Sequence, residues 1–249
     1  MYNKERMRAM ADSVLITGAG RGLGLSLTGR FLTAGYRVFA GINQTCSLIK
    51  EYQEHYRELL SVIPLNVIDM DSVRTAAEEV SQAVPALEIL INNAGVHLEN
   101  KAVPLPELDL EDRHLQKTME INAFGPLRVT QRFLPLLEKG QGKIIVNISS
   151  EAGSIGDCWR TQEYAYCMSK AALNMQTRIL HNYLSPRGFR VKAVHPGWLR
   201  TDMGGREATL APDESAERIF QIIENLRKDS REESGQHLYV DYQGKELRW

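Results

Sequence analysis

Tyr166 and Lys170 stand four residues apart, a spacing that on a helix puts a phenol and an ammonium on one face. Such a pair can move a proton. Free tyrosine titrates at about pH 10, too high for exchange near neutrality. An ammonium about 4 Å away contributes roughly 4 kcal/mol at an effective dielectric of about 20, at most about three pKa units. Lys170 is therefore expected to bring Tyr166 towards neutral pH and to make it a general acid and base. Upstream, Asn147-Ile148-Ser149-Ser150 closes an apolar run, where a ligand-side hydroxyl belongs. Ser150 is the candidate to hydrogen-bond a substrate oxygen, with Ser149 second. The three groups suit reduction of a carbonyl, which needs a hydride, a proton for the forming alkoxide and polarisation of the oxygen.

A place for a nucleotide lies in Thr17-Gly18-Ala19-Gly20-Arg21-Gly22-Leu23-Gly24. The spacing is TGxxxGxG and not GxGxxG, but the glycines do related work. They allow a tight turn, let the backbone approach a pyrophosphate, and lead into a helix whose N-terminal amides attract the anion. An acidic residue closing the next strand would bind a ribose 2′-hydroxyl and repel a 2′-phosphate. Here Val38-Phe39-Ala40 runs into Gly41-Ile42-Asn43-Gln44, with no carboxylate. Arg21, inside the turn, can pair with a phosphate through its planar fork. NADP(H) is favoured, with NAD(H) the alternative.

These residues need a frame. Short apolar runs alternate with longer amphipathic stretches: Val14 to Thr17, Arg37 to Ala40, Val62 to Leu65, Ile89 to Ile91, Lys143 to Ile148, Val191 to Val194 and His237 to Val240. Runs with so little polar alternation read as strands buried on both faces. Helices are expected over 22–34, 71–84, 111–138 and 163–183, with Asp71 as an N-cap. Repeated strand–helix–strand units imply an α/β, doubly wound parallel sheet of about seven strands, with right-handed crossovers and helices on both faces. No linker, repeat or low-complexity tract divides it. A polar extension, 1–12, precedes a single domain over 13–249. Ligands of such sheets sit beyond the carboxyl ends of the strands, where the glycine turn and Ser150 fall.

Composition narrows the partners. The 249 residues are 43% hydrophobic and 24% charged, as in a packed globule. Thirty basic against thirty-one acidic residues give a net charge of −1, too little field to attract nucleic acid or anionic lipid. No run is long and apolar enough for a membrane span. Cys46, Cys158 and Cys167 form no CxxC and suggest no disulfide framework, and the six histidines include no HExxH, so no metal is expected. The expected setting is the cytoplasm and the expected partner a small carbonyl or alcohol.

The assembly resembles the short-chain dehydrogenase/reductase family from Ser13 to Trp249. The resemblance rests on Thr17 to Gly24, Asn92-Asn93-Ala94-Gly95 after the fourth strand, Asn122, Ser150, Tyr166 with Lys170, and Pro196-Gly197 after the sixth strand. It implies a single-domain Rossmann-like fold and an Asn122-Ser150-Tyr166-Lys170 tetrad, in which Asn122 steadies a water linking Lys170 to solvent. Lys170 would also hold the nicotinamide ribose. Cofactor residues implied are Gly18, Gly20, Arg21, Gly22, Leu23, Asn43, Asn66, Val67, Asn93, Ala94, Gly95, Tyr166 and Lys170, with Pro196, Gly197, Trp198, Leu199 and Thr201 flanking the nicotinamide. The family usually has aspartate where Asn66 stands. Ser150 and Tyr166 are sixteen residues apart, wider than is usual, so the additional residues enlarge a substrate-side loop over 153–162. That loop, Tyr164-Ala165-Tyr166 and the stretch from His195 to Gly205 look like the C-factor/Sniffer-type carbonyl reductase branch.

Substrate selection is expected from residues 153–162, 97–108 and 204–212. Trp159, His97 and Met203 would give an aromatic-tolerant pocket, and Arg160 or Arg206 would read an anionic group. In the family the helices over 111–138 and 163–183 pair across a dimer axis, so a homodimer or homotetramer is implied. Two rival functions stay open: a C-factor-type signalling protein that binds cofactor without turnover, and an NAD-dependent alcohol dehydrogenase.

Overall fold

The computed structural model describes residues 12–43, 46–100, 102–228 and 237–249. The seven apolar runs all become strands: β1 (Ser13–Thr17), β2 (Arg37–Ile42), β3 (Leu60–Pro64), β4 (Ile89–Asn92), β5 (Ile144–Ile148), β6 (Arg190–His195) and β7 (Tyr239–Asp241). They pair in parallel in the order β3-β2-β1-β4-β5-β6-β7. The helices are α1 (Gly22–Thr33), α2 (Ser47–His55), α3 (Met70–Ala83), α4 (Arg113–Met119), α5 (Gly125–Leu137), α6 (Tyr164–Leu184) and α7 (Pro212–Lys228), with a π turn (Glu120–Phe124) between α4 and α5.

Burial on both faces explains the unbroken apolarity of the strands. Val14 and Ile16 enter one core with Val38, Ile89 and Ile144, while Leu15 between them enters a second with Phe39, Leu90 and Ile145. The first core is covered by Leu27 and Phe31 of α1, Ile49 of α2 and Ile219 and Ile223 of α7. Val73 and Val80 of α3 and Val129 and Phe133 of α5 cover the second. Strand order reverses between β1 and β4, so their carboxyl ends, Thr17 and Asn92, open at the switch point where such sheets take ligands.

Four features differ from the sequence reading. Two helices, α2 and α7, were not foreseen. Asp69, not Asp71, caps α3, its carboxylate accepting from the Asp71 and Ser72 amides at 2.9 and 3.3 Å. The single helix expected over 111–138 is broken by the π turn, which carries Asn122. The strand expected from His237 starts at Tyr239. The proposed extension lies outside the described residues apart from Asp12, whose carbonyl accepts from Arg37 N. No helix among the described residues is long and apolar enough to cross a membrane.

Candidate active site

Three loops at the carboxyl end of the sheet are tied to one another. Thr17 Oγ1 accepts from the amides of Asn93 and Ala94, both at 3.0 Å. Asn93 Nδ2 returns to the carbonyls of Thr17 and Gly18 at 2.9 and 3.2 Å. Gly18 has φ +65, and a Cβ there would lie 2.8 Å from Ala94 Cα, so no other residue suits the position. A Cβ at Gly22 would meet Thr201 Cγ2 at 3.2 Å, which brings the loop after β6 against the same turn. Thr17 thus braces the loop after β4, a role the glycine motif alone does not show.

Ser150, Tyr166, Lys170 and Asn122 come together from β5, α6 and the π turn. The Ser150 hydroxyl stands beside the Tyr166 phenol and favours its ionised form. Lys170 Nζ donates to the carbonyl of Ile148 at 2.9 Å and stands 5.8 Å from the centroid of the Tyr166 ring. A Cβ on Gly95 would lie at ordinary contact distance from both Asn122 Oδ1 (3.4 Å) and Lys170 Nζ (3.6 Å), which places the loop after β4 directly against the two side chains. Asn122 is fully buried. Its amide holds Val96 by both main-chain groups, each at 2.8 Å, and reaches Ser169 Oγ at 3.0 Å. Ser149 turns inward instead, donating to Asn174 Oδ1 at 2.6 Å. Asn92 braces the sheet, donating to Thr130 and Asn147.

The electrostatics correct one expectation. Burial, not the ammonium, dominates Tyr166 and pushes its phenol up to about 12, with the Ser150 hydrogen bond pulling the other way. Burial also brings Lys170 down to about 8. By surface area Tyr166 is only half-buried: its surroundings are dense, yet an edge remains open to a substrate. The arrangement therefore presents a protonated phenol and a serine hydroxyl side by side, able to hold one oxygen and give it a proton.

Other candidates are scattered as follows. Arg21 is exposed and pairs with Asp202 at 2.7 Å, a partner not foreseen. Asn43 is exposed just beyond β2, and Asn66 is half-buried beyond β3. Gly20 is half-buried in the turn. Leu23 and Val67 send their side chains into the two cores, leaving at most their main chains for a ligand. After β6, the Pro196 carbonyl accepts from Ser215 Oγ at 2.7 Å and Gly197 adopts φ +87 against Leu210. Trp198 is exposed, Leu199 buried, and Thr201 half-buried. Arg160 does not stand ready for an anion. Its guanidinium binds both oxygens of Glu151 at 2.6 Å and Glu163 at 2.6 Å. Although burial opposes the charge on Glu151, Arg160 holds that carboxyl below its ordinary range.

Comparison with known proteins agrees with this geometry. Residues 12–210 match the short chain dehydrogenase family model. The C-signal protein of Myxococcus xanthus is 41% identical over 163 residues, spanning 66% of this chain and 93% of that one. The NADPH-bound carbonyl reductase from chicken fatty liver is 33% identical with a TM-score of 0.82, over 96% of this chain and 99% of that one. The carbonyl reductase Sniffer of D. melanogaster is 28% identical with a TM-score of 0.85, over 96% and 100%. The chain belongs to the short-chain dehydrogenase/reductase family of oxidoreductases, in its C-factor/Sniffer branch.

Proposed function

We propose that the chain is an NADP(H)-preferring carbonyl reductase acting on a small or medium aldehyde, ketone or quinone. The observation that carries this reading is the placement of Lys170 Nζ 5.8 Å from the centre of the Tyr166 ring and 2.9 Å from the Ile148 carbonyl, at the strand end that leads into Ser150. When bound, NADPH supplies the hydride for the carbonyl carbon. Gly18, Gly20, Gly22 and the main chain at Leu23 would hold its pyrophosphate, with Arg21 and Asn43 towards the 2′-phosphate. Asn66 and Val67 would meet the adenine and Asn93, Ala94 and Gly95 the adenosine ribose. Lys170 and Tyr166 would hold the nicotinamide ribose, and Pro196, Gly197, Trp198, Leu199 and Thr201 the nicotinamide. The cradle fits: Gly18 and Gly24 keep the turn after β1 free of side chains that would clash within it, so its backbone is bare at the switch point of the sheet.

Ser150 donates to the carbonyl oxygen and Tyr166 passes it a proton as the alkoxide forms. A phenol at about 12 is still far more acidic than a water-like hydroxyl at about 15.7, so the transfer runs downhill. Burial that keeps Tyr166 protonated leaves it in the form that acts as the acid in reduction. The Asn122 side chain is taken up by Val96 and Ser169, so a proton relay past it would use its main chain.

Two measurements test this reading. Thermal unfolding with NADPH and NADH titrated side by side should show the larger rise with NADPH, because only the folded state binds. Arg21→Ala should narrow the difference, and Asp202→Asn should widen it by releasing the guanidinium. A larger rise with NADH would overturn the cofactor choice. The second measurement is the pH profile. The protonated forms of both Tyr166 and Lys170 are needed, so kcat/KM for reduction should be flat below neutrality. It should fall as pH rises through about 8, where Lys170 loses its proton. A profile flat to pH ~9.5 would remove the Lys170 charge from the mechanism.

The likeness to C-signal supports a second reading, a signalling protein that binds cofactor without turnover. A cofactor-induced thermal shift with no reduction across a panel of aldehydes, ketones and quinones would favour it. The exposed apolar side chains of Phe124, Leu127, Met168, Met175, Ile179 and Tyr183 support a homodimer or homotetramer built on α5 and α6; the cytoplasm is the proposed setting.

A further inference from the structure

The tetrad leaves a question open: what sets the plane of the Tyr166 ring and the position of its backbone? Tyr166 lies in the first turn of α6, where amide groups have no partner within the helix. The preceding residue, Glu163, has a left-handed backbone (φ 64) and makes no side-chain cap. The cap comes from elsewhere. Glu99, in the loop after β4, accepts from the amides of Ala165 at 3.1 Å and Tyr166 at 2.6 Å, one through each carboxylate oxygen. Two residues earlier on the same loop, the His97 imidazole lies flat on the Tyr166 ring, with centroids 4.3 Å apart and planes 4° from parallel. The side chains of His97 and Glu99 are each only 5% exposed, and His97 Nε2 stands 3.8 Å from the carboxylates of Glu99 and Glu163. The base of the loop is fixed in turn by the two bonds between Val96 and Asn122.

We propose that His97 and Glu99 are positioning residues that clamp Tyr166 at two points, Glu99 holding its backbone and His97 holding the plane of its ring. The clamp aims the phenol hydroxyl at Ser150 and at the oxygen to be reduced. It rests on the reading of Tyr166 as proton donor. Neither residue belongs to the motifs that carry the family resemblance, and neither needs to touch substrate to act. A stacked ring holds orientation by its flat face, so another flat ring should replace it and a branched aliphatic chain should not.

The test compares His97→Ala, His97→Leu and His97→Phe with the wild-type chain. His97→Ala and His97→Leu should lower kcat for carbonyl reduction roughly 10- to 100-fold, the scale set by misplacing a reacting group by about 1 Å. The KM for NADPH should stay unchanged. His97→Phe should remain within about threefold of wild type, because the face of the ring is kept. Glu99→Gln, which retains an acceptor for one amide, should fall between. A readout free of turnover is the 13C resonance of tyrosine Cζ, assigned to Tyr166 by its loss in Tyr166→Phe. It should shift or broaden in His97→Leu and keep the wild-type linewidth in His97→Phe. Equal losses in Phe and Leu variants, or full activity with an unmoved signal in His97→Leu, would overturn the clamp. If the wild-type chain reduces no carbonyl, the proposed function fails, and the Cζ signal still decides the clamp. Should His97→Ala fail to fold, the Phe and Leu pair carries the comparison, since both keep bulk at the site.

Discussion

Tyr166→Phe is expected to lower carbonyl reduction by roughly 10²- to 10⁴-fold, the usual contribution of a positioned proton donor, while the rise in thermal stability with NADPH stays nearly intact. The substitution removes one oxygen and keeps the ring, so the His97 stack and the first turn of α6 persist. The Ser150 hydroxyl loses a phenol neighbour but still accepts from the Ala152 amide at 3.2 Å. What disappears is the acid. Lys170 cannot take over, because its Nζ is 2.9 Å from the Ile148 carbonyl and lies 5.8 Å from the centre of the ring that carried the hydroxyl. Steady-state kinetics on the purified variant, with the thermal shift measured on the same sample, separates the two effects. Retained turnover would assign the proton to another group. Lost turnover together with a lost thermal shift would make Tyr166 a cofactor-binding residue first.

The sheet was legible because its strands are buried on both sides. That burial writes continuous apolar runs into the sequence, and the glycine turn and Ser150 sit at the ends of two of them. Helix α2 was not legible, since only Ile49 in it is fully buried and one residue makes no period. Helix α7 does carry a signal in the sequence, Ile219, Phe220, Ile223 and Leu226 following Asp213 and Glu214. The π turn inserts too little to disturb a helical pattern across 111–138, although it is what carries the buried Asn122. At the site, local spacing revealed Tyr166 with Lys170. Spacing could not reveal partners that meet only in the fold: Glu99 and His97 lie 67 and 69 positions before Tyr166, and Asp202 lies 181 positions after Arg21. The acidity of Tyr166 was misjudged for a related reason. A sequence gives the neighbouring charge but not the burial, and here burial dominates.

Gly24→Ala tests whether the glycine turn is a cradle or only a turn. Gly24 is helical, in the first turn of α1, so alanine would by itself favour the helix by roughly 1 kcal/mol. Contact outweighs propensity at this position. A Cβ there would fall 2.2 Å from the Gly18 carbonyl oxygen and 2.5 Å from Asn93 Nδ2. The first neighbour is main chain, and the second is the amide that ties Gly18 to the loop after β4. Neither can yield without opening the turn. Overpacking of this kind costs about 1–3 kcal/mol, and at this chain length each kcal/mol moves Tm by roughly 2–4 °C, so a fall of about 2–12 °C is expected. The NADPH-dependent rise should vanish. Gly35→Asn is the matched control. Gly35 has φ +85 with nothing within 4 Å of a Cβ, a conformation asparagine tolerates, at the far end of α1 from the turn. That variant should lose little stability and keep the full NADPH response. If Gly24→Ala instead keeps the wild-type thermal shift, the cofactor does not bind at this turn and the sheet's switch point has to be searched for another cradle.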